Sequence, residues 1–173
     1  EGELLVKGEG VMKGYWKQEK ETSETIINGW LHTGDLADID EDGYITIKDR
    51  KKEIIVNSGG DNIAPVRPEA SLTFQDIVLQ AMVYGDRRPY LVALIVVDAE
   101  ISKNISEEEL NNEVSNAVKK ANENLSQIEK IKKYIIADEP LSTDNGMLTP
   151  TMKIRRHMVN EVYGEQLNNL YKK

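Results

Sequence analysis

The sequence predicts an α+β chain: a short β-rich segment, then a small α/β domain of about three strands with helices packed on them, plus a β-hairpin. Short apolar runs broken by glycine and asparagine turns fill the first part. Two β-branched runs, over 77–84 and 90–97, come next. Helix-spaced apolar residues then occupy 106–124 and the segment beyond 153. Turn-rich β gives way to mixed elements near Lys52, so two parts, 1–51 and 52–173, are expected.

Leu4-Leu5-Val6 reads as a strand that Gly8-Glu9-Gly10 ends. Residues 19–27 suit a short helix, stopped by the turn dipeptide Asn28-Gly29. The runs 36–39 and 44–47 flank Asp40-Glu41-Asp42-Gly43, a hairpin with a glycine-ended turn. Ile54-Ile55-Val56 and Asn62-Ile63 flank Asn57-Ser58-Gly59-Gly60-Asp61, a second, glycine-rich hairpin. A helix over 65–72 keeps Pro65 and Pro68 in its first turn, where a missing N–H costs little. The β-branched runs are joined by Gly85-Asp86-Arg87-Arg88-Pro89. Ser106 and Glu109 have capping-box spacing and open a helix to about Asn124. Its apolar face is Leu110, Val114, Ala117, Val118 and Ala121. Tyr134-Ile135-Ile136 supplies a third strand, and Ile154, Met158 and Val162 outline a terminal helix.

With 173 residues, the chain has room for one or two small cores but not for a large enzyme. It carries no cysteine, which excludes disulfides and thiolate metal sites. A formal charge of −8 argues against a nucleic-acid-binding surface, which needs clustered cations. The local basic clusters Arg50-Lys51-Lys52, Lys130-Ile131-Lys132-Lys133 and Arg155-Arg156 read as solvated surface. No apolar run approaches the roughly 20 residues of a membrane-spanning helix, and no signal peptide is seen. A cytoplasmic location is expected, with peripheral membrane contact left open. The chain opens at Glu1 without methionine, on a strand-like run, which reads as a cut inside a longer protein.

Four segments carry chemistry. The first is Gly8-Glu9-Gly10-Val11-Met12-Lys13-Gly14-Tyr15-Trp16, followed by Thr22, Gly29-Trp30 and Thr33-Gly34-Asp35. The second is Asp42-Gly43-Tyr44, closing on Asp49-Arg50-Lys51-Lys52-Glu53-Ile54-Ile55. The third is Asn57-Ser58-Gly59-Gly60-Asp61-Asn62-Ile63-Ala64-Pro65 with Glu69. The fourth is Leu148-Thr149-Pro150-Thr151-Met152-Lys153-Ile154-Arg155-Arg156. In this order they resemble the adenylate-forming superfamily of acyl-CoA synthetases, luciferases and peptide-synthetase adenylation domains. The wording around Arg50 and Ser58 is most like long-chain fatty-acid–CoA ligases. Met152 stands where many members have glycine, and Pro68 where an aliphatic residue is usual.

The resemblance implies a role for each residue. Asp35 would accept hydrogen bonds from the ribose hydroxyls of ATP, since a carboxylate can take two donors at once. Taken alone, it also reads as a turn-capping aspartate after Gly34. Arg50 would reach nucleotide oxygens, or else form a surface ion pair with Asp49 or Glu53. Lys52 matches the hinge about which the small domain turns, or is plain surface lysine. Lys153 would bridge the attacking carboxylate and the nucleotide during adenylation. Its bland alternative is a helix-start lysine. Ser58, Gly59 and Gly60 would line the path of the CoA pantetheine arm, with free N–H groups bonding its amides. A plain glycine-rich hairpin turn is the alternative. Arg87 and Arg88 read as a charged hairpin tip, or as contacts for the CoA phosphates. His32 is expected to pack beside Trp30, and neither it nor His157 is marked as catalytic.

The implied parent enzyme joins a fatty acid to coenzyme A in two steps, through acyl-AMP, using ATP with Mg. The magnesium ligands, phosphate loop and acyl pocket would belong to a large N-terminal domain absent from this chain, which alone is expected to be inactive. Three rival readings stand beside it. A carrier-protein phosphopantetheine could replace CoA as acceptor, or oxygen as in luciferases. A non-catalytic module could bind CoA or a nucleotide. Finally, Asp38, Asp40, Asp42, Gly43, Ile45 and Asp49 have the spacing of a calcium loop.

Overall fold

The computed structural model describes residues 2–103 and 105–172, the side chain of Asp49 excepted. The chain divides into two compact units, Glu1–Ile54 and Ile55–Lys173, and the architecture is mixed α+β.

In the first unit, β1 (Gly2–Val6), β2 (Ile26–Ile27) and β4 (Ile45–Arg50) all pair antiparallel with the long β3 (Trp30–Ile39). The helix α1 (Glu19–Thr25) ends earlier than residue 27. Ile26 and Ile27 leave it to pair with Leu31 and Trp30, since β-branched side chains suit a ladder better than a frayed helix end. The reversal between them is a two-residue turn in which Asn28 and Gly29 have φ of 53° and 78°. Asparagine and glycine tolerate that left-handed conformation, which also matches the strand twist. Among the described residues of this unit, only Ala37 is a fully buried hydrophobic one. Leu5, Trp16, Ile39, Tyr44 and Ile47 are exposed, Trp16 at 85%.

The second unit begins with a small hairpin of β5 (Ile55–Val56) and β6 (Asn62–Ile63). Then come α2 (Val66–Thr73), β7 (Val78–Tyr84), β8 (Leu91–Val97), α3 (Ala99–Ser102), α4 (Glu107–Glu123), β9 (Ile131–Ile136) and α5 (Arg156–Asn169). The sheet order is β7-β8-β9, with β8 antiparallel to β7 and parallel to β9. A parallel neighbour needs a long crossover, which α3 and α4 supply. The short α3 follows Asp98, whose carboxylate accepts the Glu100 and Ile101 N–H groups.

The central strand β8 is buried on both faces, which explains its unbroken apolar run. Leu91, Ala93 and Ile95 join one core with Leu72 of α2 and Val114, Ala117, Val118 and Ala121 of α4. Val92, Leu94 and Val96 join the other with Val159, Tyr163 and Leu167 of α5. Each such branched side chain stabilises by roughly 1.5–3 kcal/mol, before the entropy of ordering it. Pro68 is buried in the first turn of α2. The capping box is present, with Ser106 and Glu109 bonding each other's N–H groups at the start of α4.

The terminal helix buries a different stripe from the one the spacing suggests. Val159, Tyr163 and Leu167 face the core, whereas Val162 is 53% exposed. Apolar residues lie on two overlapping stripes of α5, so spacing alone cannot choose between them; packing against β8 does.

Candidate functional site

Asp35 and Arg50 are cross-strand partners in β3 and β4. The Arg50 Nε lies 2.9 Å from Asp35 Oδ1. The ladder therefore brings together two residues that are distant in sequence and both expected at the nucleotide. The Asp35 N–H donates to Thr33 Oγ1 at 3.1 Å, and that hydroxyl donates to the Leu4 carbonyl at 2.8 Å. These bonds orient a half-buried carboxylate. A carboxylate has about four lone-pair sites, so the Arg50 contact leaves acceptor capacity for further donors. Arg50 and Lys52 line a recess of about 720 Å³ within this unit, with Thr33, Gly34, Glu3 and His32.

Glu3 was not marked by its sequence context, yet it organises the rim of that recess. It accepts the Gly34 N–H at 3.1 Å and the Lys51 ammonium at 3.2 Å. The Lys51 hydrogen bond holds its carboxyl below the ordinary glutamate value. His32 Nδ1 lies 3.5 Å from the same carboxylate. The Lys7 ammonium sits 5.6 Å from the Trp30 ring centre. Lys52 is exposed in the turn closed by the Glu53 N–H donating to the Arg50 carbonyl at 2.9 Å.

Ser58, Gly59 and Gly60 form the exposed turn of the β5–β6 hairpin. Their amides are not free. Ser58 N–H donates to the Arg88 carbonyl at 3.0 Å, Gly59 N–H to Asn57 Oδ1 at 2.8 Å, and Gly60 N–H to the Asn57 carbonyl at 3.1 Å. The expectation that these groups stand ready for a ligand's amides is overturned: the Asn57 side chain folds the turn onto itself, as short polar side chains do. Gly60 has a φ of +87°, which favours glycine there. The turn borders a cleft of about 390 Å³ with Pro89, Tyr90, Ile128 and Lys132.

Lys153 sits in a tight loop closed by a bridge between Leu148 and Ile154. The Thr149 N–H donates to the Lys153 carbonyl at 2.8 Å, and the Lys153 N–H to Thr149 Oγ1 at 3.0 Å. Because α5 begins only at Arg156, Lys153 is not a helix-start lysine. Its side chain is exposed, and among the described residues no carboxylate pairs with its ammonium. Met152, where glycine is usual in the resemblance, adopts a φ of +62°. Downstream, Arg155 donates to the Gly146 carbonyl at 3.2 Å. Arg156 reaches both oxygens of Glu69 at 2.7 and 2.8 Å. This pair was not anticipated, although both residues lie in segments that carry the resemblance.

Arg87 is the exposed hairpin tip expected, but Arg88 is not: its guanidinium lies 5.1 Å from the Tyr171 ring centre and donates to Asn168. The calcium-loop spacing meets a hairpin between two strands. Asp40 Oδ1 accepts the Asp42 and Tyr44 N–H groups at 3.0 and 2.8 Å, and Asp38 pairs with Lys48 at 3.4 Å. The Asp49 carboxylate lies outside the described residues. Among the described residues no group of three or more acidic or imidazole side chains is placed to hold a metal ion. None of their helices is long and apolar enough to cross a membrane.

Comparison with known proteins gives a consistent neighbourhood. The model of the AMP-binding enzyme C-terminal domain family matches residues 52–173. A long-chain-fatty-acid–CoA ligase of Mycobacterium tuberculosis is 40% identical over an alignment that takes in 100% of this chain and 32% of the relative. The chain thus spans about a third of the length of that relative. The adenylation domain of a carboxylate reductase from Mycobacterium chelonae superposes with a TM-score of 0.92 at 28% identity, covering 99% of this chain and 28% of the other. That of a carboxylic acid reductase from Segniliparus rugosus, in complex with AMP and a co-purified carboxylic acid, gives 0.86 at 30% identity, over 98% and 28%.

Proposed function

The chain belongs to the AMP-binding enzyme C-terminal domain family, and from that membership we propose that it is the C-terminal part of an ATP-dependent fatty-acid–CoA ligase. Residues 1–51 are the last strands of a large adenylation domain, and 52–173 are its mobile AMP-binding domain. Support for a missing neighbour comes from the first unit, whose exposed apolar side chains and thin core fit a surface covered by more protein.

The observation that carries the reading is Lys153: an ammonium without a carboxylate partner among the described residues, held out on a loop pinned at both ends. In the first step a fatty carboxylate attacks the α-phosphorus of ATP and pyrophosphate leaves. Lys153 meets the negative charge that builds on the oxygens around phosphorus. Asp35, oriented by Arg50, receives the ribose hydroxyls. In the second step the CoA thiol attacks the acyl carbonyl and AMP leaves. Lys52 is the hinge that withdraws Lys153 and brings Ser58, Gly59 and Gly60 to the thiol's path. With their amides engaged internally, these residues offer a thin, side-chain-poor wall.

The similarity to the A-PCP didomain of a carboxylic acid reductase, in which a carrier protein follows the adenylation domain, supports a second reading, in which the acceptor thiol is held by a carrier protein. Both readings are tested on the full-length protein. Fatty-acid-dependent ATP–pyrophosphate exchange is expected, followed by thioester formation with free CoA. Exchange without CoA thioester would move the assignment to a carrier acceptor. CoA binding without any exchange would leave only a binding module.

A further inference from the structure

The hairpin that carries Ser58 is built from strands of two residues each, too short to hold a turn rigidly. Its neighbour is the β7–β8 connection. Arg87 N–H donates to the Val56 carbonyl at 2.7 Å, Ser58 N–H to the Arg88 carbonyl at 3.0 Å, and Val56 N–H to Asp86 Oδ1 at 3.2 Å. Ile55 and Ile63 bury the base of the hairpin in the core, and its turn is tied to residues 86–88 by these three bonds.

Those residues are gripped from their other side by the end of α5 and the residues after it. The Arg88 guanidinium stacks 5.1 Å from the Tyr171 ring centre and donates to Asn168 Oδ1, which also accepts the Tyr84 hydroxyl at 3.2 Å. Asn168 is anchored by its Nδ2 donating to the Gly164 carbonyl at 2.7 Å. The Tyr171 hydroxyl lies 3.0 Å from the carbonyls of both Tyr84 and Tyr90, straddling the two strands at their connection. Burial pushes the Tyr171 phenol up, so the hydroxyl stays a donor at any physiological pH. The Lys153 loop shares none of these contacts, being held by Thr149, Arg155 and Arg156.

We propose that Arg88, Asn168 and Tyr171 are positioning residues for the thiol-accepting step: they brace the β7–β8 connection, which sets the place of the Ser58–Gly60 turn, and leave adenylation untouched. This rests on the ligase reading above. A guanidinium stacked on an aromatic ring and hydrogen-bonded at its edge is a stiff contact that lysine cannot reproduce.

The test uses the full-length enzyme with Arg88→Ala and Asn168→Ala. ATP–pyrophosphate exchange is measured beside thioester formation from supplied acyl-AMP, with CoA and with pantetheine as acceptors. Loss of about one hydrogen bond's worth of positioning corresponds to roughly a tenfold fall in kcat/KM. That fall is expected with both acceptors, while exchange stays within about twofold. A loss seen with CoA but not with pantetheine would make Arg88 a direct phosphate contact and overturn the brace. So would a parallel loss of exchange in a folded variant, or no loss at all. Should Asn168→Ala lose its thermal transition, Tyr171→Phe, which keeps the ring and removes the hydroxyl bond, is judged by the same comparison. If the unsubstituted enzyme forms no thioester with either acceptor, it is the ligase reading that fails.

Discussion

Glu69 and Arg156, 87 residues apart, form a two-pronged ion pair with N–O distances of 2.7 and 2.8 Å. Glu69 Oε1 also accepts the Val83 N–H at 2.9 Å. One carboxylate thus joins the first turn of α2, the strand β7 and the start of α5. Arg156 follows Lys153 by three positions, so the pair fixes where the Lys153 loop leaves the domain.

Glu69→Ala removes both prongs of this pair from a guanidinium that is only 22% exposed. Breaking such a pair from one side costs about 3 kcal/mol. A urea titration of the variant is expected to show a clearly lower midpoint. Glu69→Gln, which keeps an acceptor for Val83, is expected to fall between the two.

Lys153→Ala removes an exposed side chain and should leave thermal stability unchanged. Adenylation, followed by ATP–pyrophosphate exchange in the full-length protein, is expected to fall about 10²–10³-fold. Thioester formation from supplied acyl-AMP should remain within a few-fold. Equal loss of both steps would remove Lys153 from its role.

Met152 holds a φ of +62° with a largely exposed side chain. The left-handed region costs a residue bearing a Cβ roughly 1–2 kcal/mol, and glycine's extra unfolded-state freedom returns about 0.5–1 kcal/mol of that. Met152→Gly is therefore expected to raise stability by about 0.5–1 kcal/mol, read as a higher urea midpoint with unchanged slope.

Asp35→Ala should raise the KM for ATP by roughly tenfold or more, the effect of losing a charge-assisted hydrogen bond. Its ion-pair partner Arg50 has a side chain that is 59% exposed, so the pair contributes little to folding. A thermal melt close to that of the parent, together with the raised KM, separates a binding role from a structural one.

Glu109 accepts the Ser106 N–H, and this bond holds its carboxyl below the ordinary glutamate value. A depressed folded-state pKa contributes stability that is present above the unfolded value and is lost as pH falls through the folded one. The parent should therefore be more stable than Glu109→Gln at pH 7, and the gap should close as the solution is acidified below the glutamate range. Urea midpoints measured across that range give the comparison.

Most strands and helices were legible because their cues are local. Asn28-Gly29, Asp40 to Gly43 and the Ser106–Glu109 box each act within a few residues, and each produced the expected turn or cap. The run that became β8 was legible as a strand, and its burial on both faces came from the packing of α2, α4 and α5. The buried face of α5 was not legible, since Val162 and Tyr163 are both apolar neighbours and only the strand packed against them chooses. The free amides expected at Ser58 to Gly60 failed for a similar reason. Glycine content reveals backbone freedom, but not that the Asn57 side chain takes the Gly59 amide while the Arg88 and Asn57 carbonyls take those of Ser58 and Gly60.

By itself, the amino-acid order was enough for the α+β class, the capped helix α4 and a set of motif residues shared with acyl-activating ligases. Tertiary structure alone decided the partners. It put Arg50 on Asp35, Glu69 on Arg156, Arg88 on Asn168 and Tyr171, and Met152 in a left-handed turn. The reason is physical: turns, caps and periodicities depend on neighbours within one or two turns of chain. An ion pair across 87 residues depends on how whole elements pack, which no short window of sequence contains.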